Sequence, residues 1–288
     1  MIISNIIGGL GNQMFQYAMA RSLSLELKSD LLLDISSYDS YPLHQGYELD
    51  RVFKVRSSLA KVEDVKSVLG WQQNLFIHRV LRRPQFSWLR KKSLAIEPFF
   101  QYWEGVNFLP KNCYLFGYWQ SEKYFNKFSE VIRQDFSFDS NMSEENSFYS
   151  ERIRKSNSVS VHIRRGDYLN NSVYASCSLE YYRSAIAHVS ARSGNPVFFV
   201  FSDDIEWVKD NLEFEAESYF VAHNKAGESY NDMRLMSYCK HHVIANSSFS
   251  WWGAWLNPSP EKIVIAPKQW FTDGTNTKDL IPSEWMVL

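Results

Sequence analysis

The chain has 288 residues, 45% of them hydrophobic and 16% aromatic, with a formal net charge of −1. That length fits two small domains or one large one. The near-zero charge excludes a general nucleic-acid binder, which would carry a strong basic excess. No apolar run approaches the ~20 residues of a membrane span, and the first residues, Met1-Ile2-Ile3-Ser4-Asn5-Ile6-Ile7, lack the basic segment and cleavage site of a signal peptide.

In chain order, the apolar run at residues 2–7 predicts a buried strand, Gly8-Gly9-Leu10-Gly11 a tight turn, and the spacing of Met14, Ala18, Ser22 and Leu25 a long helix. A second strand follows at 31–34. This β-turn-α-β start is that of a doubly wound parallel sheet. Residues 40–112 mix aromatic, basic and proline-interrupted pieces without a readable order. Residues 113–118 predict a strand and 121–133 the helix after it. Ser, Asn and Glu cluster at 139–150, which places a domain boundary there and divides the chain into 1–150 and 151–288. The second half alternates cleanly. Strands are predicted at 158–163, 196–201, 219–222, 242–245 and 262–266. Helices are predicted at 179–192, capped by Ser178, and at 205–212, 230–239 and 249–256. Strand-then-helix repetition implies a parallel sheet covered on both faces.

Cys113, Cys177 and Cys239 are odd in number and widely spaced, which argues against a disulfide framework and against a zinc site. They point to a reducing compartment, the cytoplasm.

Three motifs sit at the ends of predicted strands, where open α/β folds bind ligands. In Gly8-Gly9-Leu10-Gly11-Asn12-Gln13 the glycines allow close backbone approach, and the helix start offers free amides. The spacing matches neither Gly-x-Gly-x-x-Gly nor a Walker A loop, and a turn without a ligand is an equal reading. In His162-Ile163-Arg164-Arg165-Gly166-Asp167 two cations end a buried strand. A leaving diphosphate gathers charge in the transition state, and an arginine fork can grip two of its oxygens. Neighbouring arginines on a strand point to opposite faces. One can therefore serve the site while the other braces the loop through Asp167; a surface Arg-Asp pair of little energetic weight is the alternative reading. In Asn246-Ser247-Ser248-Phe249-Ser250-Trp251-Trp252 hydroxyls and amides precede a helix, a phosphate-binding placement. The paired tryptophans are either core or a sugar-stacking surface. Between the last two motifs, Asp203 and Asp204 end a strand. They read as a nucleoside contact, as metal ligands lacking further partners, or as a helix N-cap by Asp203 with Asp204 favoured by the helix dipole.

In this order the strings GGLGNQMFQYA, VHIRRGDY, FSDD and NSSFSWWGAWL resemble the α-1,2-fucosyltransferase family of inverting glycosyltransferases. The resemblance spans nearly the whole chain, with residues 40–112 contributing little. It implies a GT-B fold of two Rossmann-like, doubly wound domains facing across a cleft. It implies GDP-β-L-fucose as donor, inversion at the anomeric carbon, and neither cofactor nor metal. Residues 151–288 would bind the nucleotide. Residues 1–150 would face the acceptor, a galactose-terminated oligosaccharide or lipid-linked glycan. By the same resemblance Arg164 grips the β-phosphate, His162 lies against the nucleotide, and Ser247 and Ser248 bind diphosphate oxygens beside Asn246 and Phe249. Asp203 or Asp204 takes the nucleoside, and Arg165, Gly9 and Gly11 add donor contacts. Asn12 lies near the fucose or the acceptor, with Gln13 and Trp251 on the acceptor. Some core-fucosylating relatives place a glutamate base after the arginine motif, but residues 168–177 contain no acidic residue. Asp167 is then the candidate base. Other linkages, α-1,3 or α-1,6, and a non-catalytic carbohydrate-binding protein are the alternatives. Animal members carry a membrane anchor before the first motif. This sequence shows none there, which suggests a bacterial enzyme working in the cytoplasm on a surface glycan.

Arg79, Arg82, Arg83, Arg90, Lys91 and Lys92 alternate with Leu81, Phe86, Trp88 and Leu89. Such a stretch reads either as a solvated basic face or as a peripheral contact with the inner face of a membrane.

Overall fold

The computed structural model describes residues 1–40, 45–166 and 176–288. The chain divides into two compact units, residues 1–139 with 276–280, and residues 140–275 with 281–288.

The first unit holds a five-stranded parallel sheet. Its strands are β1 (Ile2–Asn5), β2 (Leu31–Asp34), β3 (Ser58–Leu59), β4 (Leu94–Ile96) and β5 (Cys113–Phe116), in the order β3-β2-β1-β5-β4. The central β1 is buried along its whole length: Ile2 and Ile3 enter the core, while Ser4 and Asn5 are satisfied by hydrogen bonds to the Gln16 carbonyl and to Ser37 Oγ. The helix Leu10–Leu27 follows it and buries residues around most of its circumference. One side meets the sheet. Elsewhere Phe15 packs on Phe125 and Tyr17 on Phe136.

Residues 121–133 are not the single helix that the pattern predicts. They form two 3-10 turns, Glu122–Tyr124 and Asn126–Phe128, before a helix at Ser129–Asp135. Phe125 between the turns leaves the helical region (φ −138°, ψ 3°) and is fully buried. Docking its ring, and that of the buried Tyr124 against Trp119, overrides the helical propensity.

The second unit holds a six-stranded parallel sheet: β6 (Ser158–Ile163), β7 (Val197–Ser202), β8 (Ser218–Val221), β9 (His241–Val243), β10 (Val264–Ala266) and β11 (Met286–Val287). The order β11-β10-β9-β6-β7-β8 is the doubly wound dinucleotide-binding order, with its reversal between β6 and β9. One face is covered by the helix Leu179–Ser193, capped by Ser178 as expected (Tyr181 N to Oγ, 3.1 Å). The helix Glu144–Lys155 belongs to this unit. Its Ile153 is buried with Phe199, Phe201, Leu235 and Met236. The division therefore falls between residues 139 and 140, not at 150.

Among the described residues no helix is long and apolar enough to cross a membrane. The three cysteines are unbridged.

Candidate functional site

In the second unit the neighbouring strands β7, β6 and β9 deliver three segments to one end of the sheet, at the point of strand-order reversal. These are 203–204, 164–166 and 246–249. Asp203 organises the middle one. Its two oxygens accept the backbone N–H groups of Arg165 (2.9 Å) and Gly166 (3.0 Å), and Oδ2 lies 3.3 Å from Nε of Arg164. Gly166 has no side chain because a Cβ there would meet that carboxylate. The Arg164 side chain is thus steered by a fixed anion while 33% of its surface stays open to solvent.

Arg165 does something else. Its guanidinium lies 3.5 Å over the Trp207 ring and 3.4 Å from Asp204. The brace expected of one arginine is therefore Arg165, through Asp204 and Trp207, and its assignment to the donor is corrected. The cap is corrected too. Asp204, not Asp203, caps the helix Ile205–Asn211, accepting from Trp207 N at 3.3 Å. Asp167 and Tyr168 fall outside the described residues.

His162 is 6% exposed and packs its ring 6.0 Å from that of Phe249. Burial, helped by the charge of Arg164, lowers its pKa to about 3. It is a neutral imidazole near pH 7 and no proton carrier there. Its Nδ1 finds no hydrogen-bond partner among the described residues, a costly state for a buried polar atom unless another group satisfies it.

Ser247 caps the helix Ser248–Leu256 by accepting from Phe249 N at 3.3 Å. Ser248 and Phe249 are half-buried at its first turn. The expected donor role of Asn246 is not supported. Its Nδ2 donates to the Trp270 carbonyl at 2.9 Å and its Oδ1 faces Cys177 Sγ at 3.4 Å, with the residue 1% exposed. Trp251 is likewise corrected. It is fully buried against Trp252, Trp255 and Trp285, so it fills core and presents no face to a sugar.

In the first unit the glycine turn follows β1. Gly8 has the left-handed φ of +89°, whereas Gly9 is extended and starts the helix. Gly11 is buried inside the first helical turn. A Cβ on Gly8 would press on Asn12. The acceptor role expected of Gln13 gives way to a structural one. It is fully buried, donating to the carbonyls of Gly8 (3.0 Å) and Gly46 (2.8 Å) and accepting from Glu48 N (2.9 Å). Asn12 remains half-exposed, with Oδ1 accepting from Gln120 Nε2 at 2.7 Å.

That bond leads to a cluster sequence reading missed. Gln16 bridges Ile7 N and the Gly117 carbonyl, tying the loop after β1 to the loop after β5. Glu97, just after β4, accepts from Tyr118 N (2.7 Å) and Trp119 N (3.0 Å). It holds Trp119 at φ +57°, a conformation only a constrained non-glycine residue keeps. Burial raises the Glu97 carboxyl to about 7, against the opposing pull of those two N–H groups. Two signals were available: a glycine directly after a strand at 117 and an acid directly after an apolar triplet at 97. A Cβ on Gly117 would collide with the Glu97 side chain.

The sequence profile of glycosyl transferase family 11 matches residues 1–288. The chain belongs to glycosyl transferase family 11. Two relatives match this family member over essentially their full lengths. An alpha-1,2-colitosyltransferase of Escherichia coli is 38% identical, covering 99% of this chain and 98% of its own. The O-antigen biosynthesis glycosyltransferase WbnK of Escherichia coli is 33% identical, covering 99% of both. Among solved structures, the NodZ alpha-1,6-fucosyltransferase soaked with GDP-fucose superimposes with a TM-score of 0.56 at 17% identity, over 89% of this chain and 92% of that one. That likeness concerns the fold, two parallel-sheet α/β units of GT-B-like type. The family 11 chain is a glycosyltransferase.

Proposed function

We propose that the chain transfers L-fucose from GDP-β-L-fucose to the 2-hydroxyl of a terminal galactose in a bacterial surface glycan, with inversion and without a metal ion. The observation that carries this reading is Arg164, partly open to solvent and steered by Asp203 at the strand-order reversal of a dinucleotide-type sheet. A guanidinium there suits the β-phosphate, whose charge rises as the sugar departs. The helix start at Ser247, Ser248 and Phe249 suits the remaining diphosphate oxygens. His162, neutral and with an unpartnered Nδ1, suits a hydrogen bond from the nucleotide. In this reading the second unit holds the donor, and Asn12 with Gln120 on the first unit serves the acceptor or the sugar. Incubation with GDP-fucose and lactose tests it. Release of GDP with a new fucosylated product is expected, its linkage read by NMR. GDP release absent over a panel of galactosides would overturn it.

A second donor is favoured by one finding, the 38% identity to an alpha-1,2-colitosyltransferase. Colitose is fucose without the 3-hydroxyl, so the two donors present the same GDP to Arg164. Competing GDP-fucose and GDP-colitose in one reaction decides between them.

Both aspartates near the arginines already have protein partners, and no group of three His, Cys, Asp or Glu among the described residues is placed to hold a metal. Activity in EDTA is expected to equal that without it. A loss restored by manganese would assign Asp203 and Asp204 a metal role.

Glu97 gives the expected pH dependence. Only the ionised carboxylate accepts both loop N–H groups, so kcat/KM should rise with pH through about 7. Glu97→Gln mimics the protonated state. It should sit about 10-fold below the wild-type plateau, the effect of weakening one such bond, and lack that limb. A limb unchanged in the variant would assign the titration elsewhere. Folding runs the other way. The folded value lies above the ordinary 4.5, so the folded chain binds the proton more tightly. This group's contribution is present below pH 4.5 and is lost as pH rises to about 7.

A further inference from the structure

Charge is not spread evenly over this chain. Residues 65–96 contain seven lysines and arginines and no aspartate or glutamate, leaving 24 of the 31 basic residues against all 32 acidic ones elsewhere. The segment comprises the end of the helix Val62–Leu69, whose first turn carries Glu63 and Asp64 just outside the segment, then a 3-10 turn Gly70–Gln73, the helix Leu75–Leu81 and a 3-10 turn Pro84–Leu89. Its inner side is ordinary core. Val68, Leu69 and Leu81 are buried with Ile3, Leu94 and Tyr114, and His78 sits edge-on to Tyr114 and Phe116.

Its outer side departs from the polar face that packing alone would call for. Phe76 is 76% exposed and Trp88 79%, with Trp71 and Leu89 also exposed. Lys66, Arg79, Arg82, Arg83, Lys91 and Lys92 are exposed among them. Phe76 and Arg79 fall one turn apart on the same helix face. The Lys91 ammonium lies 5.9 Å from the Trp71 ring centre. Arg90 folds back onto the carbonyls of Leu81, Arg82 and Arg83, which pins the turn bearing Trp88 to the helix end. None of the seven cations makes a salt bridge with a described carboxylate.

We propose that this face of the first unit docks on an anionic phospholipid bilayer. The ammonium and guanidinium groups meet the headgroup phosphates, and Trp71, Phe76 and Trp88 enter the interfacial layer. Exposed single apolar residues are common, but large aromatics interleaved with cations that lack a described carboxylate partner are the composition of interfacial segments, even though Arg82 also lies 4.1 Å over the Phe116 ring. The acidic balance of the remaining chain repels the same surface and so restricts contact to this face. The proposal holds whichever sugar the enzyme transfers.

The test is co-sedimentation of the full chain with vesicles. Binding is expected to phosphatidylcholine vesicles containing 30% phosphatidylglycerol, and not to pure phosphatidylcholine. It should weaken about two orders of magnitude in the triple variant Arg79→Ser, Arg83→Ser, Lys92→Ser, each cation being worth about 5-fold. These residues are exposed, so the variant should fold, and its thermal melt checks that. Lipids brominated near the headgroup should quench tryptophan emission, and Trp88→Phe should lose part of that quenching. Absence of binding to the anionic vesicles would overturn the proposal, as would binding that the triple variant leaves intact. Binding to an oligonucleotide, or self-association through this face, in place of vesicle binding would overturn it in favour of that partner.

Discussion

Arg164→Ala is expected to lower kcat/KM for sugar transfer at least ~10²-fold, the range for removing one donor that acts on transition-state charge. The expectation comes from how the residue is held. β6 ends at Ile163, and Asp203 from the neighbouring β7 fixes both the loop backbone and the Nε side of the guanidinium. That anchoring removes most of the rotamer freedom a long side chain would lose on meeting a phosphate. Arg164→Lys should recover only a minor part. Lysine keeps the charge but not the planar fork, and it cannot reach Asp203 and a phosphate together in the same way. Initial rates and thermal melts on the three proteins check this. The melts should coincide, since the side chain is partly exposed. A near-normal rate for Arg164→Ala would remove the residue from the mechanism.

Trp251→Ala is expected to destabilise the fold by about 3–5 kcal/mol, the usual cost of deleting a large buried aromatic. Trp251 is fully enclosed, with Trp252 edge-on at 5.0 Å between ring centres, Trp255 stacked at 6.2 Å and Trp285 at 5.4 Å. Trp251→Phe retains part of that volume and should cost less. Denaturant unfolding of the second unit's signal measures both. A sugar platform would behave in the opposite way. The melt would hold while KM for the acceptor rose, and that result would return Trp251 to the acceptor site.

Much of the fold is written in periodicity. The strands at 2–5, 31–34, 158–163 and 197–202 are short segments rich in Ile, Leu, Val and Phe, with Ser4, Asn5, Ser158, Ser160 and His162 among the buried polar exceptions, and they lie in the interior of each sheet. Burial on both faces demands such runs, so they stand out in any composition. The outlying strands do not. β3 and β11 have two residues each, and β4 has three after a long basic stretch. Their pairing comes from the neighbouring strand, not from their own propensity. The helical pattern over 121–133 fails for a related reason, because Tyr124 and Phe125 dock into core that only the assembled unit provides.

The site divides along the same line. Sequence alone determined the family strings, the presence of cations and hydroxyls at strand ends, and the doubly wound class. It could not say which polar side chain faces a ligand and which is consumed by the fold. Gln13, Arg165 and Asn246 look like ligand groups in a string, yet each is bonded to backbone or packed on a neighbouring element. Glu97 looks ordinary, yet it sets the loop that reaches Asn12 through Gln120. These assignments rest on hydrogen bonds between residues as far as 108 positions apart. A side chain's partners are chosen by the three-dimensional neighbourhood that satisfies its buried donors and acceptors, and that neighbourhood exists only once the sheets have formed.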